Sequence, residues 1–143
     1  MITSYFESIQ QAKKEYNRIL EPVCTRHGLT RNEVDILLFL LNNPKMDRGA
    51  DIVKCRGIAK SHVSLSVGTL EKKGLLCRRE SASDRRTVHL MLRDSGRDIA
   101  REAQDLQKGF FQHIFDGLTP EELALWRRVT EKVTANILNM ETI

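Results

Sequence analysis

Apolar side chains return every three or four residues along most of this chain, and that helical phase breaks in one place. Tyr5, Ile9, Ala12, Tyr16, Ile19 and Val23 form a single stripe, predicting a helix from Ser4 to about His27. Pro22 lies inside it and either kinks the helix or ends it early. A second helix opens on Thr30-x-x-Glu33, a capping box in which a hydroxyl and a carboxylate satisfy free backbone N–H groups. Val34, Leu37, Leu38 and Leu41 give its inward stripe, and Asn42-Asn43-Pro44 ends it. A short third helix is predicted between Gly49 and Arg56, with Ile52 and Val53 inward and a turn at Gly57-Ile58. The fourth runs from about Lys60 to Lys73 with Val63, Val67 and Leu70 inward, closed by Gly74. Further on, Ile99, Ala103, Leu106, Phe110 and Ile114 mark a long fifth helix that Asp116-Gly117 breaks. Thr119-Pro120-Glu121-Glu122 is a second capping box with proline at the first helical position. The sixth helix then carries Trp126, Val129, Val133, Ile137 and Met140.

The phase breaks between the fourth and fifth helices. Leu75-Leu76-Cys77-Arg78-Arg79 and Thr87-Val88-His89-Leu90-Met91-Leu92 are short strand-like runs. Glu80 to Arg86 between them is polar and turn-prone, so the unit predicts a β-hairpin tipped by Asp84-Arg85-Arg86. A helix followed at once by a hairpin with arginines at its tip is the arrangement of a winged helix-turn-helix. That device sets a helix in the DNA major groove and cations in the adjacent minor groove. The expected fold is therefore mainly α with a small β-hairpin wing, flanked by N- and C-terminal dimerisation helices. Residues 29–93 would form the winged lobe, and residues 1–28 and 94–143 a helical dimerisation region. The terminal helices are surplus to the lobe, and a second copy of the chain is the economical cover for their stripes.

Composition narrows the function. A chain of 143 residues with 41% hydrophobic residues can build one domain with helical extensions. Its longest apolar run, Ile36 to Leu41, is far too short to span a bilayer. The N-terminus carries Glu7 and does not resemble a signal peptide, so a cytoplasmic protein with no membrane partner is expected. Cys24, Cys55 and Cys77 are odd in number and contain no C-x-x-C pair, which reads as reduced, partly buried thiols; a redox-sensing cysteine is the alternative. Gly-rich phosphate loops, H-E-x-x-H and recognisable nucleophile motifs are all missing, and His27, His62, His89 and His113 are isolated in sequence. Hence no catalytic residue, metal site or cofactor is expected. The net charge is only +4, but Lys45 to Arg101 holds 14 basic and seven acidic side chains. The positive excess therefore sits on the helix-and-hairpin segment, as in a nucleic-acid binder.

A helix advances 100° per residue. With Val63, Val67 and Leu70 inward, Ser61, Leu65, Gly68 and Lys72 lie opposite, flanked by His62 and Ser64. Ser61, His62, Ser64 and Leu65 are the expected base readers, with Lys60 and Lys72 on phosphates. Leu65 either touches a thymine methyl or packs under a neighbouring side chain. Gly68 suits either close approach of the DNA backbone or tight helix packing. On the wing, Asp84, Arg85 and Arg86 complete the candidate set, the alternative being a hairpin tip charged for solubility.

From about Gly28 to Ala100 the chain resembles the multiple-antibiotic-resistance regulators, the MarR family. The resemblance rests on Leu29-Thr30, on Leu70-Glu71-Lys72-Lys73-Gly74-Leu75-Leu76-x-Arg78, on Asp84-x-Arg86, and on Gly96-Arg97. It implies an obligate homodimer straddling a pseudo-palindromic operator in double-stranded DNA. It also implies a transcription regulator, usually a repressor, released by a small aromatic or anionic effector bound between the dimer helices and the lobe. In the family pattern the wing arginine, here Arg86, enters the minor groove, and Asp84 orients the wing. The chain departs from the pattern at Arg93, commonly Thr; at Leu65, often Arg; and in the third helix. Family redox sensors use a cysteine early in the first helix, whereas Cys24 lies late in it. A winged-helix module for protein association and a thiol-based redox regulator are the competing readings.

Overall fold

The computed structural model describes residues 1–140. Helices α1 (Ile2–His27), α2 (Arg31–Asn42), α3 (Gly49–Arg56) and α4 (Lys60–Lys72) precede strands β1 (Leu76–Glu80) and β2 (Val88–Leu92). Helices α5 (Asp94–Ile114) and α6 (Pro120–Leu138) follow. The chain divides into two compact units, Met1–Lys108 and Gly109–Ile143.

In the first unit α1 runs unbroken through Pro22, so the proline does not end it early. It stops at Gly28, whose φ of 62° lets its N–H close on the Cys24 carbonyl. The α1 stripe is covered only in its second half. Tyr5, Ile9 and Ala12 are exposed, Tyr16 and Ile19 half-buried, and Leu20, Val23 and Cys24 buried. The α2 capping box is complete, with Glu33 N–H donating to Thr30 Oγ1 (3.2 Å) and Thr30 N–H to Glu33 Oε2 (2.9 Å). A single stripe was expected on α2. Instead Val34, Ile36, Leu37, Leu38, Phe39 and Leu40 are all buried, because α2 is packed on several sides, against α1, α4 and β2. Ile52, Val63, Val67 and Leu70 face the same core, as their spacing predicts, and Ser66 joins them.

The strands begin one residue later than expected. Gly74 takes a φ of 71° and the Leu75 N–H closes back on the Leu70 carbonyl, so Leu75 belongs to the turn. Thr87 likewise belongs to the wing turn through its N–H to the Asp84 carbonyl. The strands pair antiparallel, from Leu76 opposite Leu92 to Glu80 opposite Val88. At the start of α5 the Arg93 carbonyl accepts the Arg97 N–H (2.8 Å), and Asp94 is already helical. Ser95 Oγ donates to the Gly74 carbonyl (3.2 Å). Gly96 is required by packing: a Cβ there would lie 2.0 Å from the Leu75 carbonyl oxygen.

In the second unit, α6 opens on a full capping box between Thr119 and Glu122, with Pro120 at its first position. No residue of α6 is buried. Phe115 meets Trp126 edge-on at 4.7 Å, while Trp126, Val129, Val133 and Ile137 remain exposed. Among the described residues, no helix is long and apolar enough to cross a membrane.

Candidate nucleic-acid interface

Helix α4 turns one face to the core and leaves the other open. Ser61, His62, Ser64, Leu65 and Lys72 are exposed, and so is Lys60 at the start. Leu65 is 71% exposed, which excludes the expectation that it packs under a neighbouring side chain. A Cβ at Gly68 would meet nothing within 4 Å, so tight helix packing does not account for this glycine. It leaves a shallow place on the outer face, between Leu65 and Lys72. The N-terminus of α4 differs from those of α2 and α6. Ala59 occupies the cap and offers no side-chain acceptor, so the first N–H groups of α4 have no side-chain cap. Backbone donors at the positive end of a helix dipole are suited to phosphate.

The wing tip is ordered by one side chain. Asp84 Oδ1 accepts the Arg86 N–H (2.9 Å), and Asp84 Oδ2 accepts the Thr87 hydroxyl (3.2 Å). The Thr87 carbonyl accepts the Ser81 N–H (2.9 Å), closing the loop. Asp84 therefore spends its carboxylate on the turn, and among the described residues neither Arg85 nor Arg86 forms an ion pair. Both arginines are exposed. Midway along β1, Arg78 is paired with Glu71 of α4 (2.8 Å), which ties the hairpin to that helix. Lys73 Nζ donates to the Gly28 carbonyl (2.8 Å) and holds the end of α4 against the α1–α2 turn.

Two partnerships were invisible in the one-dimensional pattern. His89, isolated in sequence, meets Asp47 Oδ1 through Nδ1 at 2.6 Å. His27 meets Glu102 through Nε2 at 2.8 Å, beside an Arg26–Glu102 pair. His89 and Asp47 border a cavity of about 380 Å³ between the end of α2, the hairpin and the start of α5, with Arg79 and Arg97 at its edge. A second cavity, of about 450 Å³, opens between α3, α4 and the hairpin, lined by Val53, Val63, Val67 and Leu90 with Lys60 and Arg78.

The thiols are spread out: Cys24 is buried, Cys77 half-buried and Cys55 exposed. Burial pushes the Cys24 thiol up, which lowers its thiolate fraction and its reactivity. Among the described residues, no three His, Cys, Asp or Glu side chains gather as a metal site would need.

Residues 27–87 match the model of the MarR family. The chain is 29% identical over 85 residues to the transcriptional repressor MprA of Escherichia coli, an alignment covering 59% of this chain and 48% of the relative. It thus spans about half the length of that curated relative. By fold it is similar to a MarR-family regulator from Listeria monocytogenes solved with a 26mer DNA. The TM-score is 0.80 at 17% identity, covering 92% of this chain and 87% of that one. It is also similar to S. aureus MepR bound to DNA, with a TM-score of 0.76 at 20% identity over 96% of both chains. These likenesses show a winged-helix fold.

Proposed function

With residues 27–87 a MarR-family lobe, we propose that this chain is a homodimeric, sequence-specific DNA-binding transcription regulator acting as a ligand-responsive repressor. The observation that carries the reading is the pairing of two unspent surfaces on one lobe. Helix α4 offers a polar, basic outer face with a small gap at Gly68, and the wing offers two exposed arginines on a tip that Asp84 holds in shape. Ser61, His62, Ser64 and Leu65 read base edges in the major groove, while Lys60, Lys72 and the α4 N-terminus meet phosphate. Arg86 enters the minor groove and Arg85 meets the backbone beside it.

The homodimer reading is supported by α6 and the first half of α1. Among the described residues, this helix of 19 residues leaves Leu125, Trp126, Val129, Val133 and Ile137 exposed. A second copy related by a two-fold axis covers such faces and presents two α4 helices to a pseudo-palindromic operator, about 34–36 Å apart. Effector release is supported by the cavity between α2, the hairpin and the start of α5. Its apolar floor and its Arg79 and Arg97 edge suit a small anion with an apolar body. Such a ligand releases DNA only through a difference in its affinity for the two spacings of the α4 helices.

The test is selection of duplexes from a random-sequence pool, followed by titration of the selected duplex at several salt concentrations. The expected result is a palindromic motif bound with a steep salt dependence. Binding without sequence preference, or no binding at all, would overturn the reading in favour of a protein-association module.

A further inference from the structure

A two-stranded hairpin is marginally stable by itself and does not fix its own direction. The wing tip is closed by bonds internal to Ser81–Thr87. In β2, only Leu90 is buried. Something outside the hairpin must therefore set where its tip is aimed. We propose that Asp47, on the loop between α2 and α3, is a positioning residue of the wing, holding β2 where the Arg78–Glu71 pair holds β1, and acting through His89 and Leu90 to keep Arg86 in register with α4. The proposal rests on the DNA-binding reading above.

Asp47 grips two consecutive residues of β2. Its carbonyl accepts the Leu90 N–H at 2.7 Å, and its Oδ1 accepts the His89 Nδ1–H at 2.6 Å. Consecutive strand residues point to opposite faces, so the strand is held on the core side by Leu90 and on the other side by His89. The backbone bond sets the position of the strand along its length. The side-chain bond opposes rotation about its axis. The next residue, Arg48, is the N-cap of α3, its own N–H donating to Asp51 Oδ2 (3.1 Å). The loop that carries Asp47 is therefore anchored directly to the helix-turn-helix. Arg86 lies three residues before His89, in the turn that β2 carries at its end, so a rotation of the strand at His89 also moves the tip.

The two side chains remain 35% and 30% exposed, and a polar pair so placed adds little to global stability. Its consequence falls on geometry, and a binding readout separates the two. The experiment uses the full-length chain and the duplex that the wild type selects from a random pool. Asp47→Ala should weaken binding about tenfold, with an unchanged circular dichroism spectrum and a thermal midpoint close to that of the wild type. Asp47→Asn keeps an oxygen acceptor for His89 and should restore binding to within about twofold. In an Arg86→Ala background, Asp47→Ala should cost less than about twofold, since a misaimed tip matters only while the arginine is present. His89→Ala should repeat the pattern from the other side of the pair, and faster amide exchange at Leu90 should accompany it. Equal losses from Asp47→Ala with and without Arg86, no rescue by asparagine, or no loss at all would overturn the role while leaving DNA binding intact. A wild type that selects no duplex would bring down the DNA-binding reading and this role together.

Discussion

Helices α2 and α6 open in the same way and end in opposite circumstances. Both begin with a complete capping box, Thr30 with Glu33 and Thr119 with Glu122. Both carry apolar residues at helical spacing. Yet α2 buries seven of its 12 residues, and α6 buries none of its 19. Capping is settled by four neighbouring residues and is complete wherever those residues occur. Burial depends on what the rest of the chain brings to the other side. The unit built around α2 has a core of its own, and the unit containing α6 leaves an apolar face uncovered among the described residues.

The largest effect should come from charging the uncovered face. Val129→Glu with Val133→Glu should convert dimers to monomers by light scattering at micromolar concentration, with the helical content largely kept. Operator affinity should fall by about 100-fold or more, since each lobe then binds alone. Retention of a dimer would break the comparison. The matching change in the covered helix, Leu37→Ala, should cost about 2–5 kcal/mol by denaturant titration, because Leu37 is fully buried in a core that cannot close around the loss. Loss of stability there should not depend on protein concentration beyond the dimer's own dependence.

The outer face of the lobe is a third kind of surface, exposed by design of the packing and committed to neither core. Arg86→Ala should weaken operator binding by about 1–3 kcal/mol, and Arg85→Ala by less, with thermal stability unchanged. Lys72→Ala should weaken all sequences alike and lower the salt slope by about one unit, whereas exchange at Ser64 or Leu65 should alter the selected motif. An unaltered motif for a Ser64/Leu65 double variant would remove those two from the readers.

The smallest effect tests the claim that capping is local. Arg48's side-chain hydrogen bond, aided by its backbone N–H, holds the Asp51 carboxyl below the ordinary aspartate range. A depressed carboxyl stabilises the fold at pH above that range, and the contribution is lost as pH falls through the folded value below it. Asp51→Asn should cost about 0.5 kcal/mol near neutral pH and nothing in strong acid, followed by thermal melts across that interval. An equal cost in strong acid would point to packing instead of charge.

Much of the lobe was legible in sequence because its signals are local. The Thr30 box, the Val63–Val67–Leu70 face and the turn at Gly74 each need only residues within one or two turns of chain. The wing's charged tip was legible for the same reason, although its strands begin one residue later, at Leu76 and Val88, because the turns closed by Leu70 and Asp84 claim Leu75 and Thr87. The exposed row on α4 followed from helical geometry once its inward face was identified. Asp47 gave no such signal: an aspartate in a loop after Asn42-Asn43-Pro44 looks like any solvated turn residue.

What the sequence alone determined is the set of elements, the Thr30 and Thr119 caps and the inward face of α4, since these are fixed by interactions between near neighbours. Tertiary structure alone decided that α2 would be buried on nearly every side, that only half of α1 would be covered, and that Gly96 would lie against the Leu75 carbonyl. It also brought Asp47 to His89. The physical reason is common to all four. A period in the chain states which side chains share a face, but which distant segment meets that face is fixed only when the whole chain has packed.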